Sequence, residues 1–287
     1  MNGKEIALHP GFFTIDVEDY YHIIGVSGTP NIDEWDSIQP RVSHGFAKLL
    51  ELLESRQVKA TFFFLGYIAK RFPELVKEAL ARGHEIASHG MYHQEVRYQT
   101  AADFLEDARE SRLLLEDISG TEVLGWRSAG FSVNQDTPWF FEKLLEAGYK
   151  YDSSIVPNRT GHKRLFAADA APAFICTGSG KIYEFPIGVA DLGPLQVGMF
   201  GGGYLRFFPK QAIGKMACRT LQSRPLLIYI HPRELDLDHP KIPMNIIRYV
   251  KSYINMSSVP AKLNMLLKIT HFSTLGEYYA QQCTKQN

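Results

Sequence analysis

This chain predicts an α/β fold built on parallel strands, and three observations carry the prediction. Short apolar runs alternate with longer amphipathic segments about seven times along its 287 residues. Runs such as ATFFFLG and LLIYIHP are almost continuously apolar, as strands buried on both faces are. Ionisable residues gather where the runs end. A (β/α) barrel and a doubly wound sheet both satisfy this pattern, which leans toward the barrel.

The predicted strands are FFTID (12–16), ATFFFLG (60–66), HEIASH (84–89), VLGWRS (123–128), YKYDSS (149–154), IYEFPIG (182–188) and LLIYIHP (226–232). Each is short, rich in β-branched or aromatic residues, and bounded by Gly, Pro or polar residues. The helical patterns between them are RVSHGFAKLLELLESRQ, PELVKEALARG, TAADFLEDARESRLLLEDISG and DTPWFFEKLLEAG. In the third, Thr100 with Asp103 forms a capping pair, and Phe104, Leu105, Ala108, Leu115 and Ile118 share one face. Gly83, Gly120 and Gly148 stand where helices want a left-handed residue. After Leu237, IIRYVKSY and VPAKLNMLLKI read as terminal helices covering the barrel. The chain is therefore expected to be one catalytic domain over 1–287, with a helical extension from about 240.

Composition excludes several classes. Lys plus Arg and Asp plus Glu both number 31, so nothing suggests an electrostatic nucleic-acid partner. Cys176, Cys218 and Cys283 are far apart and odd in number; they form no disulfide framework and fit a reducing compartment. The first residues, MNGKEIALHPGFF, lack a long apolar core, and no stretch approaches a membrane span. A soluble cytoplasmic protein is expected, and a homo-oligomer is left open.

In a parallel α/β fold the C-terminal strand ends open onto one face. Asp16, Glu18 and Asp19 follow the first strand, and His89 and His93 follow the third. Arg127 ends the fourth, Asp152 the fifth and His231 the seventh. With ten histidines in the chain, the His89/His93 pair alone would mean little; five such strand ends converging mean more. Two imidazoles and a carboxylate can hold a divalent ion with positions left open. Such an ion lowers the pKa of water and polarises a carbonyl. A second carboxylate can take a proton while a histidine opposite gives one. Arg127 can keep a carboxylate ionised, and Asp152 can orient Arg127 or His231. Together these describe metal-assisted hydrolysis of an amide or ester. Gly201–Gly203 match no phosphate or dinucleotide loop, so a backbone turn near the site is the simpler reading. The long connections 20–40 and 157–172 are expected to wall the site. Trp35 is either a sugar-stacking platform or a packing anchor, and Tyr204 and Arg206 are candidates to touch substrate.

TIDVED, SHGMYH, GWRSAGFS, YDSSIVP and YIHPRELD, in this order, resemble the five motifs of the polysaccharide deacetylase family (carbohydrate esterase family 4, the NodB homology domain). EFPIG, GGGYLRFFP and HPRELDLDHPKIP resemble the subfamily associated with exosortase and exopolysaccharide loci, and the likeness runs from about residue 11 to 275. The resemblance implies a distorted (β/α) barrel of about seven parallel strands. It also implies hydrolytic removal of acetyl groups, usually from a 2-acetamido sugar, with a divalent metal: Zn²⁺ foremost, Co²⁺ or another ion as alternatives. By resemblance Asp16 is the general base, His231 the general acid and Arg127 the partner of the base, supported by Asp152. The Gly130 backbone N–H serves the oxyanion, and Ile228 and Ile230 lie near the acetyl methyl. His89, His93 and an acid of DVED hold the metal. Strand alternation favours Glu18 for that acid, whereas a turn beginning at Val17 favours Asp19. This chain departs from the subfamily in RSAGFS, where RAPSFS is usual, and in Arg233, where an aromatic residue usually follows HP. Cyclic amide hydrolysis, which related barrels also perform, and glycan binding without turnover are the alternatives.

Overall fold

The computed structural model describes residues 8–157, 170–193 and 195–286. The connection expected to reach Pro172 lies mostly outside these residues, as do His162 and the first seven residues.

Ten strands are described: β1 (Gly11–Val17), β2 (Thr61–Phe64), β3 (Glu85–Ser88), β4 (Gly125–Trp126), β5 (Tyr151–Asp152), β6 (Ala173–Thr177), β7 (Gly180–Glu184), β8 (Ala190–Leu192), β9 (Leu195–Val197) and β10 (Leu226–Ile230). Eight form one sheet in the order β10-β1-β2-β3-β4-β5-β7-β6. The first seven in that order pair in parallel, and β6 joins β7 antiparallel. The sheet curls into a half-barrel with helices around it. Seven parallel strands are thus where the apolar runs place them. The hairpin partner β6 and the β8–β9 ribbon carry too many exposed positions for a clear pattern.

Helices α1 (Val42–Ser55), α2 (Gly66–Arg71), α3 (Pro73–Ala81), α4 (Ala101–Ser119) and α5 (Phe140–Ala147) follow the early strands. Then come α6 (Gly202–Phe207), α7 (Lys210–Leu221), α8 (Ile246–Tyr253), α9 (Val259–Leu266) and α10 (Leu275–Gln286). The Thr100 hydroxyl accepts the Asp103 N–H at 3.2 Å, and α4 stops at Gly120 with φ +68°.

Because side chains alternate along a strand, the sheet separates two cores. Phe13, Ile15 and Val17 of β1 and Leu226, Ile228 and Ile230 of β10 face the helices. Phe12, Phe63, Tyr151, Phe185 and Leu227 fill the concave side, where Leu275, Tyr278 and Tyr279 of α10 pack against them. Terminal helix α10 is tied to the strand starts: its Leu275 N–H donates to Thr61 and its Gly276 N–H to Glu85. The apolar plug occupies that end, so polar residues gather at the opposite one. Of the expected covering helices, α9 buries Val259, Leu263 and Leu266, but α8 buries none of its residues, and Ile246 and Ile247 are 72% and 78% exposed. No helix among the described residues is long and apolar enough to cross a membrane.

One close approach sets the seventh strand end. Gly45 of α1 packs so tightly on Pro232 that a Cβ there would overlap the Pro232 backbone carbonyl. Gly45→Ala should therefore cost about 1–3 kcal/mol through overpacking. A urea unfolding midpoint unchanged from wild type would contradict that contact.

Candidate active site

The acids and imidazoles that converge on the cleft come from strand ends or the turns just beyond them. The cleft has a volume of about 200 Å³, and Asp16, Glu18, His22, His89, His93 and His231 line one end of it. Ser128, Gly130 and Tyr229 form part of its wall.

Arg127 is the fixed point. Fully buried at 0% exposure, it donates Nη1 to Asp16 Oδ1 at 2.7 Å and to Thr14 Oγ1 at 2.9 Å. Its Nε reaches the Ser153 carbonyl at 3.1 Å and Nη2 the Ser153 hydroxyl at 2.9 Å. The guanidinium lies 4.1 Å from the centroid of the Phe63 ring. One side chain thereby ties β1, β2, β4 and β5. Burial pushes the Asp16 carboxyl up, but Arg127, helped by His89 and His231, outweighs it and holds Asp16 below the usual carboxylate range. Asp16 Oδ1 is taken by Arg127, while Oδ2 lies 3.8 Å from His231 Nε2.

The first-motif acids separate cleanly. The Glu18 N–H donates to the Asp16 carbonyl at 3.0 Å, a three-residue turn at Val17 that turns the Glu18 side chain beside Asp16. Glu18 Oε2 lies 2.7 Å from His93 Nε2, and Oε1 lies 3.5 Å from His231 Nε2. Burial opposes its charge, but His93 and His231 hold it well below its ordinary pKa. Asp19 turns away despite the turn at Val17. Its oxygens accept N–H bonds from Tyr20 at 2.7 Å, Arg41 at 2.7 Å and Val42 at 3.0 Å, capping local backbone. As a metal ligand, Asp19 is thus out of position.

Glu18, His89 and His93 can each offer one ligand atom, all within 4.8 Å of one another. His89 Nδ1 is held by the Arg127 carbonyl at 2.8 Å, and a backbone group of His22 hydrogen-bonds His93. Such backing orients imidazoles as a metal site requires. His93 adopts φ +53°, a left-handed turn that brings its ring back to 5.0 Å from that of His89. Burial lowers the pKa of His89, whereas Glu18 overcomes burial and raises that of His93. Burial, with Arg233 and Arg206 adding to it, brings His231 down to about 4. The donor set fits a divalent cation.

Several expected residues stand elsewhere. Ile228 and Ile230 are in the helix-facing core, because Tyr229 and His231 take the concave face of the same strand. Trp35 is 3% exposed and packs among Tyr21, His22 and Tyr67, so it is an anchor and no stacking platform. Tyr204 lies outside the cleft lining and stacks on Phe208. Asp152 touches neither Arg127 nor His231. It accepts from the Ser154 hydroxyl at 2.7 Å, and that hydroxyl accepts the Ser128 N–H at 2.8 Å, so Asp152 braces the Ser128–Gly130 loop indirectly. Its other neighbour, Glu184, was missed. Burial drives both carboxyls upward, Asp152 to about 6 and Glu184 well above its ordinary value, and the pair shares a proton. His22 was also missed, although it lies four residues beyond Glu18; burial pulls it down to about 3.

Residues 34–151 match the family model described as polysaccharide deacetylase, and residues 153–280 match a domain of unknown function, DUF3473. The first match covers less than half of the chain, so the likeness to polysaccharide deacetylases stands for residues 34–151. A peptidoglycan-N-acetylglucosamine deacetylase of Bacillus cereus is 29% identical over 129 residues, 45% of this chain and 47% of that protein. The chain spans less than half the length of the curated relatives it matches. A Mycobacterium smegmatis structure described as a polysaccharide deacetylase superposes with TM-score 0.65 at 16% identity, covering 100% of this chain and 94% of that one. An allantoinase superposes with TM-score 0.63 at 17% identity, covering 98% and 92%. Identities this low bear on the fold alone.

Two outcomes follow for this protein. Arg127→Met should cost about 3–5 kcal/mol of stability by stranding Asp16 in a buried setting, read by chemical denaturation. The Asp152–Glu184 pair, with folded pKa values raised above the unfolded ones, contributes most at low pH. That contribution fades as pH rises through about 6 and beyond. The wild-type melting temperature should therefore drop across this window, and Glu184→Gln should flatten the slope; an unchanged slope would count against the shared proton.

Proposed function

We propose that this protein is a metal-dependent sugar deacetylase, acting on an N-acetyl group within polysaccharide or lipid-linked glycan synthesis. The convergence of Asp16, Glu18, His89, His93 and His231 on one cleft carries this reading. Relatives named for deacetylation of peptidoglycan and of chito-oligosaccharide support the substrate class. The resemblance to exosortase-associated sequences favours an exopolysaccharide route. We read the whole chain as one catalytic unit, since β1 and β10 pair although they come from opposite ends of the sequence. Free Cys176, Cys218 and Cys283 favour the cytoplasm as its location.

Glu18, His89 and His93 would hold a divalent ion, with Zn²⁺ the best match for a site of two imidazoles and one carboxylate. When bound, it would supply Lewis acidity toward the acetyl carbonyl and the attacking water. Asp16 would take the proton of that water through Oδ2, because Oδ1 is clamped by Arg127. Attack forms the new C–O bond, and the C–N bond breaks to give acetate and a free amine. His231, facing Asp16 across 3.8 Å, would relay that proton from Asp16 to the leaving amine. Gly130, at φ +60° on the cleft wall, would offer its backbone N–H to the oxyanion.

Metal content and acetate release, measured together on acetylated chito-oligosaccharides, test the reading. His93→Ala should lose both. Asp16→Asn should keep most of its metal and lose at least about 10²-fold in turnover. Full metal occupancy and normal rate in His93→Ala would overturn the ligand set. Ring opening of a hydantoin-like amide without acetate release would replace the reading with cyclic amide hydrolysis, and glycan binding without product would replace it with a binding role.

A further inference from the structure

Away from the acids and imidazoles, the same cleft ends on a wall of opposite charge. Arg206 of α6, Arg233 beyond β10, and Arg248 and Lys251 of α8 all line it. The deacetylation chemistry above uses none of the four. All come from residues 153–280, which match the domain of unknown function.

The wall is built, and several of its guanidinium nitrogens lack hydrogen-bond partners among the described residues. Arg206 is only 2% exposed, ion-pairs through Nη1 with Glu234, and donates Nη2 to the Lys251 carbonyl at 3.2 Å. Buried Lys262 holds the end of α6 from beneath, donating to the Leu205 and Arg206 carbonyls at 2.9 Å each. Gly203 lets α6 approach α8 closely, since a Cβ there would sit 3.1 Å from the Lys251 carbonyl. Arg248 is anchored by Nη2 on the Ile24 carbonyl at 2.6 Å. Yet Arg206 Nε, Arg248 Nε, and both Nε and Nη1 of Arg233 are buried with no hydrogen-bond partner among the described residues. Buried N–H groups left unmatched are costly, and three residues that line one cleft with such nitrogens call for a shared acceptor.

Charge points the same way. Among the described residues Glu234 is the carboxylate paired with these guanidiniums, so Arg206, Arg233 and Arg248 less Glu234 leave an excess of two. Glu18 lies within electrostatic reach of Arg233, but its Oε2 is turned to His93 at 2.7 Å. A planar carboxylate has two oxygens and one charge, too few for three guanidinium edges. A phosphoryl group has more oxygens, more charge, and a geometry guanidinium forks match.

We propose that this wall is a phosphoryl subsite and that the substrate is an acetylated sugar bearing a phosphate or diphosphate ester. The sugar part of this inference rests on the deacetylase reading; the anion part rests on the wall alone. A nucleotide diphosphate and a polyprenyl diphosphate share the chemistry that the wall recognises.

Calorimetric titration of wild-type protein tests it with three probes: N-acetylglucosamine, N-acetylglucosamine 1-phosphate and UDP-N-acetylglucosamine. Both phosphorylated probes should bind about ten-fold or more tighter than the neutral sugar, as charge-assisted bonds predict. Added salt should erode the advantage. Arg233→Gln and, separately, Arg248→Gln should each remove most of it while leaving neutral-sugar affinity within about two-fold, and their melting curves check that both fold; Arg206 is spared because Glu234 depends on it. Stronger binding of the 1-phosphate than of the UDP sugar would assign the site to a terminal monophosphate, and the reverse to a diphosphate ester. Phosphorylated and neutral sugars binding alike, or an advantage untouched in both variants, would overturn the proposal. N-acetylmuramic acid binding as tightly as the phosphates would overturn the choice of phosphoryl over carboxylate. Phosphate-dependent binding without acetate release from any probe would count against deacetylation and leave the subsite standing. Acetate release from neutral sugar without phosphate-dependent binding would do the reverse.

Discussion

The bond between Arg127 and Asp16 is the constraint on which the rest of the site depends. A guanidinium with no solvent contact is tolerable only when its charge is matched and its donors are filled. Asp16 supplies the charge; Thr14 and Ser153 take three more of its N–H donors, and Phe63 supplies the face beneath. Because these partners come from β1, β2 and the end of β5, and Arg127 itself from the end of β4, satisfying Arg127 sets how those four strands meet at their C-terminal ends. It also leaves Asp16 with one oxygen committed and one facing the cleft.

From that fixed point the cleft divides by charge. One end concentrates carboxylates and imidazoles, where burial and mutual attraction compete and each group's protonation follows from its neighbour: Glu18 raises His93, and His93 lowers Glu18. The other end holds guanidiniums from α6, α8 and the loop after β10, with Glu234 paired to Arg206 at its edge. Between them, His231 feels both, its charged form favoured by Asp16 and Glu18 and disfavoured by burial, Arg233 and Arg206. A polar sugar with an acetyl group toward one end and a negative charge toward the other matches such a cleft.

Much of this was legible in the sequence because parallel strands impose a simple rule. Long apolar runs locate strands, and the polar residues interrupting their ends must share one face. That rule brings Asp16, Glu18, His89, His93, Arg127 and His231 together. Alternation within a strand is the finer rule: at β10, His231 facing the cleft forces Ile228 and Ile230 behind the sheet. Residues that reach the cleft from helices and turns obey neither rule. Arg248 and Lys251 lie on the short helix α8, and His22 lies on a single turn, so no periodicity marks them as convergent. Asp152 ends a strand as expected, but its bonds go to Ser154 and Glu184. A strand end says where a side chain sits, not what it touches. Likewise β6, half exposed along its length, and α7, interrupted by Gly214, present patterns too weak to read.

The central claim is that Glu18, His89 and His93 form one ligand set beside Asp16, with Asp19 excluded. Anomalous diffraction from crystals grown with Zn²⁺ or Co²⁺ tests it most directly. The account predicts a single strong peak about 2.0–2.2 Å from a nitrogen of each imidazole and from a Glu18 oxygen, with Asp19 still bonded to the backbone of Arg41 and Val42. A peak coordinated by Asp19, or metal bound elsewhere with these three side chains bare, would contradict it.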